Sequence, residues 1–203
     1  MSEEENNLSP VMVWLDFETT GVRDHDILLE VSLIVTDNDL NELGEYTSLI
    51  VDANPDDLIP EGQARTKESQ IHCWEKHWET GLIYELKEAC DADELLPTLS
   101  EVEAHMTSLL NAHGVHEDVP RRERPPLCGS SIGFDRRFLR KYMPDVNALL
   151  HYRNIDVSSI LELQKRWRPD FPKSPKSEAH RTLWDLRESI AHLRNFRDNG
   201  FIG

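Results

Sequence analysis

The sequence predicts an α/β domain in which a mixed central sheet is flanked by helices. Three segments with the composition of strands follow one another within the first 51 residues, and strand–helix units come later in the chain. The later segments repeat apolar residues at helical spacing. Because 203 residues suit one ordinary domain, we expect residues 10–203 to form a single domain behind an acidic, disordered tail at residues 1–9.

The first three strands are predicted to form an antiparallel meander. Val11–Leu15 is a short, continuous apolar run, which is typical of a buried central strand. Ile27–Thr36 is rich in branched residues and predicts the second strand. The turn formers Asp37–Asp39 separate it from Glu45–Val51, which predicts the third strand.

Helices and two short strands make up the rest of the predicted domain. Leu127–Gly129 and Asn154–Asp156 predict the strands, whereas the polar residues 114–126 and the proline-rich residues 169–177 predict loops. Pro144 is expected to end the helix that precedes it. The predicted helices are Thr66–Gly81, Glu94–Ala112, Phe134–Tyr142, Val157–Trp167 and Arg181–Arg197.

The charge of the chain restricts its partners. Lys and Arg number 22 against 38 Asp and Glu, which gives a formal net charge of −16. Proteins that hold long nucleic acid electrostatically are usually basic, so this balance argues against a long duplex as the partner. A short nucleotide held by a few contacts and by metal ions is compatible with it.

Three features of the sequence bear on the compartment. The chain has no run of about 18 apolar residues, so no membrane span is expected. Its acidic start lacks the apolar segment of a signal peptide. Cys73, Cys90 and Cys128 form no CxxC pair, which argues against a zinc site and a disulfide framework. We therefore expect a cytoplasmic protein.

Two carboxylates stand at the end of the first predicted strand. Residues two apart in a strand share a face, so Asp16 and Glu18 are expected on the same side of the sheet. Like charges this close repel unless a cation lies between them, and Mg²⁺ prefers oxygen ligands. The pair therefore predicts a metal site, although the dipeptide pattern alone is equally compatible with two solvated charges at a strand end.

Three more residues enlarge this candidate site. Asp135 begins a predicted helix, where an acid also complements the helix dipole. Asp185 lies off the apolar stripe of the last helix and could simply face solvent, and His180 falls on the loop before that helix. Together, four acids and a histidine are the side chains that two-metal phosphodiester hydrolysis needs. Two cations about 3.5–4 Å apart stabilise the attacking and leaving oxygens, and imidazole can accept the proton of a water.

The pattern D-x-E … D … H-x4-D resembles the DEDDh exonucleases, a branch of the RNase H-like fold, and within them the oligoribonuclease family. The runs G-x-S-I-G-x-D-R-R-F-L-x-K-Y-M-P and H-Y-R-x-x-D-V-S, between Leu127 and Trp167, are characteristic of that family. The similarity extends from about Val11 to Phe196 and is weakest between Asp52 and Pro125.

The resemblance implies a 3′-to-5′ exonuclease that degrades short oligoribonucleotides, dinucleotides especially. It implies two Mg²⁺ or Mn²⁺ ions held by the four acids, and His180 as general base. It also implies a homodimer, because Tyr152 matches a residue that the other protomer donates to the site. The implied metal ligands are Asp16, Glu18, Asp135 and Asp185.

The resemblance also assigns substrate contacts. Ser131, Arg153 and Ser158 match positions that cap the 5′ phosphate, which would close the site beyond a dinucleotide. From the sequence alone, Arg153 could instead form a surface ion pair, and Tyr152 could equally pack in the core. The residues assigned to substrate are Phe17, Thr20, Trp74, His77, Ser131, Tyr152, Arg153 and Ser158.

Three departures from the family pattern leave alternatives open. Thr19 stands where Met is usual, and D-x-E-T-T-G is also found in DNA-proofreading exonucleases. Phe17 replaces the usual Leu, and strict alternation would turn it away from the acids. The stacking tryptophan could be Trp74 or Trp78, since the family position aligns with His72.

Two rival functions follow from the sequence. One is a broader DEDDh exonuclease that acts on 3′ ends of single-stranded DNA or RNA. The other is a non-catalytic nucleotide-binding protein that keeps the fold. The presence of all five catalytic residue types argues against the second rival.

Overall fold

The computed structural model describes residues 8–24, 26–50, 68–92, 96–174 and 180–202, with side chains in the first helix described from Cys73. Most of the predicted tail at residues 1–9 lies outside these ranges. Ser9 lies within them, where its Oγ accepts a hydrogen bond from the Val11 amide at 3.3 Å. Among the described residues, no helix is long and apolar enough to cross a membrane.

Five strands form one mixed sheet in the order β3-β2-β1-β4-β5, which confirms the predicted sheet. The first three strands pair antiparallel, whereas β1, β4 and β5 pair parallel. Strand β1 therefore lies in the middle, with partners on both sides. The strands are β1 Val11–Thr19, β2 Leu28–Asp37, β3 Glu42–Leu49, β4 Leu127–Gly129 and β5 Asn154–Asp156.

Seven α-helices are present in the described part of the chain, where the sequence predicted five. Gly81, with φ +82°, separates α1 from α2, so the predicted single helix is followed by a second one. Pro144 occupies the first turn of α5, a position that proline tolerates, and so begins a helix as well as ending α4. The helices are α1 Glu68–Glu79, α2 Leu82–Asp91, α3 Leu99–Ala112, α4 Gly133–Tyr142, α5 Pro144–Leu149, α6 Val157–Trp167 and α7 Thr182–Asp198.

Other details of the elements also differ from the prediction. Helix α3 begins at Leu99 because Thr98 and Glu101 form a capping box, in which each side chain bonds to the other residue's backbone amide. A 3₁₀ turn at Arg121–Glu123 interrupts the predicted loop. Strand β1 continues to Thr19, four residues beyond the apolar run, so the predicted acids lie within the strand.

The two faces of β1 belong to different cores, and this arrangement positions the site. Its odd-numbered residues, among them Leu15 and Phe17, pack with α3 and α4. Its even-numbered residues Met12 and Trp14 pack with Leu186 and other apolar residues of α7. Because side chains alternate along a strand, Asp16 and Glu18 continue the face that α7 covers.

Candidate active site at the end of the central strand

Three carboxylates converge where β1 meets the first turn of α7. Asp16 and Glu18 are half-buried on one face of the strand, and Asp185 reaches the same place from α7. One ligand oxygen from each of the three lies within 4.8 Å of the others. The structure therefore brings together acids that are 169 residues apart in the sequence.

Asp135 is the fourth acid beside this group. It is only 3% exposed, and its Oδ1 accepts a hydrogen bond from the Phe17 amide at 3.1 Å. That amide belongs to the residue between Asp16 and Glu18, so the bond fixes α4 to the strand at the site. The negative charge of Asp135 contributes to the raised pKa of both strand acids.

Burial and mutual repulsion raise the pKa values of these four carboxyl groups. Burial, followed by the charges of neighbouring acids, raises the pKa of Asp16 well above its ordinary value. Burial and the charge of Asp185 raise the pKa of Glu18 to about 8. Burial raises the pKa of Asp135 to about 7, and that of Asp185 to about 6 against the opposing charge of His180. All four acids are therefore poorly neutralised by the protein itself.

This donor set fits a hard divalent cation. Every candidate ligand atom is a carboxylate oxygen, which is the donor that Mg²⁺, Mn²⁺ and Ca²⁺ prefer. A cation between the acids would also replace their repulsion by attraction. Asp16, Glu18 and Asp185 would hold it, with Asp135 beside them.

We predict that metal-free protein loses stability as the pH rises. A carboxyl whose pKa is raised by folding stabilises the native state below its unfolded pKa, and that contribution is lost as the pH rises through the folded pKa. With folded values of about 8, 7 and 6 for Glu18, Asp135 and Asp185, the loss spans roughly pH 4 to 8. Urea unfolding in EDTA measures it. Saturating divalent metal should remove most of the slope, and an equal slope with metal would contradict the assignment.

His180 lies at the entrance of α7, next to the acids. It is exposed, its backbone has φ +42°, and its charge acts on Asp185. The predicted placement on a loop before the helix agrees with its position two residues before α7 begins. An exposed imidazole beside a carboxylate cluster is placed to exchange a proton with a bound water.

Glu30 and Arg181 support this part of the site, and sequence reasoning missed both. Glu30 on β2 lies directly opposite Glu18 and is 2% exposed. The Arg181 Nε donates to Glu30 at 3.0 Å, and its Nη1 donates to Glu85 of α2 at 2.7 Å. The Glu30 carboxylate also accepts from the Thr182 amide at 3.1 Å. The residue after His180 is therefore tied to the sheet and to α2.

One signal in the sequence could have revealed that pair. Glu30 is the single charged residue in the apolar run Ile27–Val35. A charge in a buried strand needs a partner of opposite sign, because desolvating it alone is costly. A search for that partner would have led to an arginine near the site.

A second polar cluster surrounds the end of β5 and the residues predicted to cap a phosphate. Ser131, with φ +55°, donates its amide to Asp156 Oδ1 at 3.0 Å. Ser158 donates its hydroxyl to the same oxygen at 2.6 Å. Asp156, which the sequence did not single out, therefore holds both serines together.

Tyr152 and Arg153, which directly precede β5 in the sequence, lie on the surface. Tyr152 is 71% exposed rather than packed in the core, and the Arg153 guanidinium lies 5.5 Å from its ring centre. Within the described ranges, Arg153 takes part in none of the observed ion pairs. Both side chains are therefore available to a ligand or a second chain.

Four residues assigned to substrate are buried in the described conformation. Phe17 is 4% exposed and faces the core, as strict alternation predicts. The hydroxyl of Thr20 accepts a hydrogen bond from the Ile27 amide and donates to Asp26. Their contacts with substrate stay predictions, since each side chain would have to become exposed.

The other two buried residues belong to α1. His77 Nε2 lies 2.8 Å from the Thr19 carbonyl, to which it donates, and burial lowers the pKa of its ring. Trp74 is 5% exposed and lies edge-on to His77, whereas Trp78 is half-buried with its ring centre 4.8 Å from that of Tyr84. The side chain of His72 lies outside the described residues, so which tryptophan stacks on a base stays open.

Comparison with known proteins confirms the predicted family resemblance. The exonuclease family model RNase_T matches residues 13–119. The oligoribonuclease of Aromatoleum aromaticum is 36% identical over 98% of this chain and 97% of its own length. The oligoribonuclease of Colwellia psychrerythraea is 39% identical over 92% of this chain and 93% of its own length.

Solved structures confirm the predicted RNase H-like exonuclease fold. Exonuclease I of Methylocaldum szegediense superposes with a TM-score of 0.61 at 18% identity, over 93% of this chain and 40% of that protein. A zinc-bound complex of E. coli exonuclease I with single-stranded DNA gives a TM-score of 0.64 at 16% identity, over 94% of this chain and 41% of that protein. At these identities the likeness establishes the fold alone.

Proposed function

The chain belongs to the exonuclease family, in its oligoribonuclease branch, and we propose that it removes nucleotides from the 3′ end of short RNA by hydrolysis. The convergence of Asp16, Glu18 and Asp185 beside Asp135 is the observation that carries this proposal. Four acids in one place are otherwise a source of repulsion. Together with divalent metal they stabilise the charge of a phosphodiester under attack.

The chain's own residues have distinct roles in this reaction. The four acids would hold two Mg²⁺ or Mn²⁺ ions, which when bound activate a water and stabilise the leaving oxygen. The hydrogen bond from the Phe17 amide to Asp135 fixes the position of α4 relative to Asp16 and Glu18. His180 accepts the proton of the attacking water, and Arg181 anchors the backbone that presents it.

The cluster at β5 supports a preference for very short RNA. Asp156 holds Ser131 and Ser158 side by side, and the exposed Arg153 lies close in sequence. Serine hydroxyls and a guanidinium are suited to a terminal 5′ phosphate. A capped end limits the substrate to about a dinucleotide. A single phosphate clamp is also compatible with a net charge of −16, whereas a long basic surface for nucleic acid is not.

A homodimer and a cytoplasmic location are part of the proposal. Tyr152 is 71% exposed, next to the proposed clamp, which suits a side chain that reaches a partner's site.

Cys73, Cys90 and Cys128 are free thiols, which is compatible with a reducing compartment such as the cytoplasm.

The phosphate clamp is tested by Arg153→Ala. We expect this variant to bind a 5′-phosphorylated dinucleotide about 10–150-fold more weakly than wild type, because a charge-assisted hydrogen bond is lost. A dinucleotide without that phosphate should bind equally well to both proteins. Affinities are measured in Ca²⁺ to prevent turnover, alongside sedimentation of the free enzyme. Arg121→Ala, which removes an exposed arginine elsewhere, is the matched control.

Turnover of an RNA ladder from dinucleotide to decanucleotide distinguishes the proposal from its rival. A capped site predicts that the dinucleotide is the best substrate and that Arg153→Ala reduces this preference. Equal losses for the two dinucleotides, or a fully active monomer, would favour a broader exonuclease that acts on single-stranded DNA or RNA.

A further inference from the structure

A basic pocket lies beside α4, and none of the four candidate metal ligands lines it. Its volume is about 450 Å³. Four of its side chains are cations, and spacings of three and four residues make Arg140 a neighbour of Arg136 and Arg137 on the helix surface. Such a cluster of positive charge is unexpected in a chain that has 38 acidic and 22 basic residues. The pocket is lined by Gly133, Arg136, Arg137, Arg140, Lys141 and Asn154.

Arg136 is a buried cation in the wall of this pocket. It is 5% exposed, and its partners are the His151 carbonyl at 2.9 Å and the amide oxygen of Asn154 at 3.3 Å. Both partners are neutral, and Nε has no acceptor among the described residues. Burying a cation among neutral partners is costly, and an anion in the pocket would offset this cost.

The other cations differ in how they are held. Arg137 pairs with Asp24 at 3.2 Å, and Lys141 donates to the Asp24 carbonyl. These two are therefore fixed to the segment that follows β1. Arg140 is exposed and forms no ion pair with any acid in the described ranges. Arg136 and Arg140 thus leave positive charge in the pocket that the described chain does not neutralise.

We propose that this pocket binds a phosphate group. Arginine presents several N–H donors in a fixed fork that matches phosphate oxygens, and the walls of the pocket are rich in such donors. Asp135 precedes Arg136 on the same helix, but its carboxylate accepts a hydrogen bond from the Phe17 amide of β1 and does not line the pocket. The phosphate could come from a free anion or mononucleotide, or from the backbone of a bound RNA.

The test uses metal-free protein in EDTA, titrated calorimetrically with inorganic phosphate and with a 5′-mononucleotide. Without metal the acid cluster repels anions, and every protein compared carries Arg153→Ala to weaken the proposed 5′-phosphate clamp, so the remaining phosphate binding reports the basic pocket. We expect Arg140→Glu to weaken binding of both ligands about tenfold or more, because a charged donor becomes a repelling acid. Arg121→Glu, a charge reversal at another exposed arginine, should leave binding unchanged.

A second arm identifies the source of the phosphate. RNAs of increasing length are bound in Ca²⁺ without turnover. If Arg140→Glu weakens only RNAs longer than a dinucleotide, the pocket holds a backbone phosphate. If it weakens only the free anion and the mononucleotide, the pocket is a separate anion site.

Two results would overturn the proposal. One is equal phosphate binding by the Arg153→Ala protein with and without Arg140→Glu. The other is an absence of phosphate binding by the Arg153→Ala protein together with altered sedimentation when Arg140→Glu is added, which would make the pocket a protein–protein contact. Because the titration needs no turnover, neither result bears on the exonuclease proposal.

Discussion

Asp16→Ala is expected to abolish hydrolysis while the protein stays folded. Carboxylate oxygens of Asp16, Glu18 and Asp185 lie within 4.8 Å of one another, so removing Asp16 deletes a ligand of the proposed metal site. Charge stabilisation worth several kcal/mol is lost, which corresponds to a rate loss of roughly a thousandfold or more. The fold should survive, because burial and four neighbouring acids already disfavour the ionised Asp16 carboxyl when metal is absent.

Two measurements on the same variant separate a lost ligand from a damaged fold. Metal-free Asp16→Ala should unfold at a urea concentration equal to or above that of wild type, since a repelled carboxyl has been removed. Divalent metal should stabilise it far less than it stabilises wild type. Asp118→Ala, at an exposed acid outside the cluster, should retain full activity. Near-normal turnover by folded Asp16→Ala in saturating Mn²⁺ would refute the metal assignment.

The sequence predicts which residues form this site better than it predicts how they are arranged in space. Alternation along β1 correctly places Asp16 and Glu18 on one face, because a period of two is a local property of strands. Helical spacing likewise places Asp185 off the apolar stripe of α7. The convergence of these acids depends on which face α7 covers, and that follows from long-range packing of residues such as Trp14 and Leu186.

The ion pairs and hydrogen bonds that support the site could not be predicted from local sequence patterns. Glu30 and Arg181 are 151 residues apart, and their pairing depends on β2 and α7 meeting beside β1. Asp156 is similar, since it bonds a serine 25 residues earlier across two strands. Helix α2 is different in kind. The predicted helix ended at Gly81, and no element was predicted for Leu82–Asp91, where the structure has a second helix.

His180→Asn is expected to reduce kcat by about 10²–10⁴ at neutral pH while leaving metal-induced stabilisation largely intact. The exposed imidazole lies beside Asp185 at the entrance of α7, where it can accept the proton of the attacking water. Asparagine is the better replacement because His180 has φ +42°, a conformation that Asn tolerates more readily than Ala. The variant therefore removes the proposed base without straining the loop that Arg181 anchors.

The pH dependence of the variant distinguishes a general base from a residue that only shapes the loop. At high pH, hydroxide replaces water as the nucleophile and needs no base, so part of the lost rate should return. A loop defect would instead lower the rate by a similar factor at every pH. His180→Ala should show the same recovery with a somewhat larger loss, and His116→Ala, at another exposed histidine, should match wild type throughout. An unchanged kcat for His180→Asn at neutral pH would return this histidine to an ordinary surface position, because the bound water would then lose its proton without it.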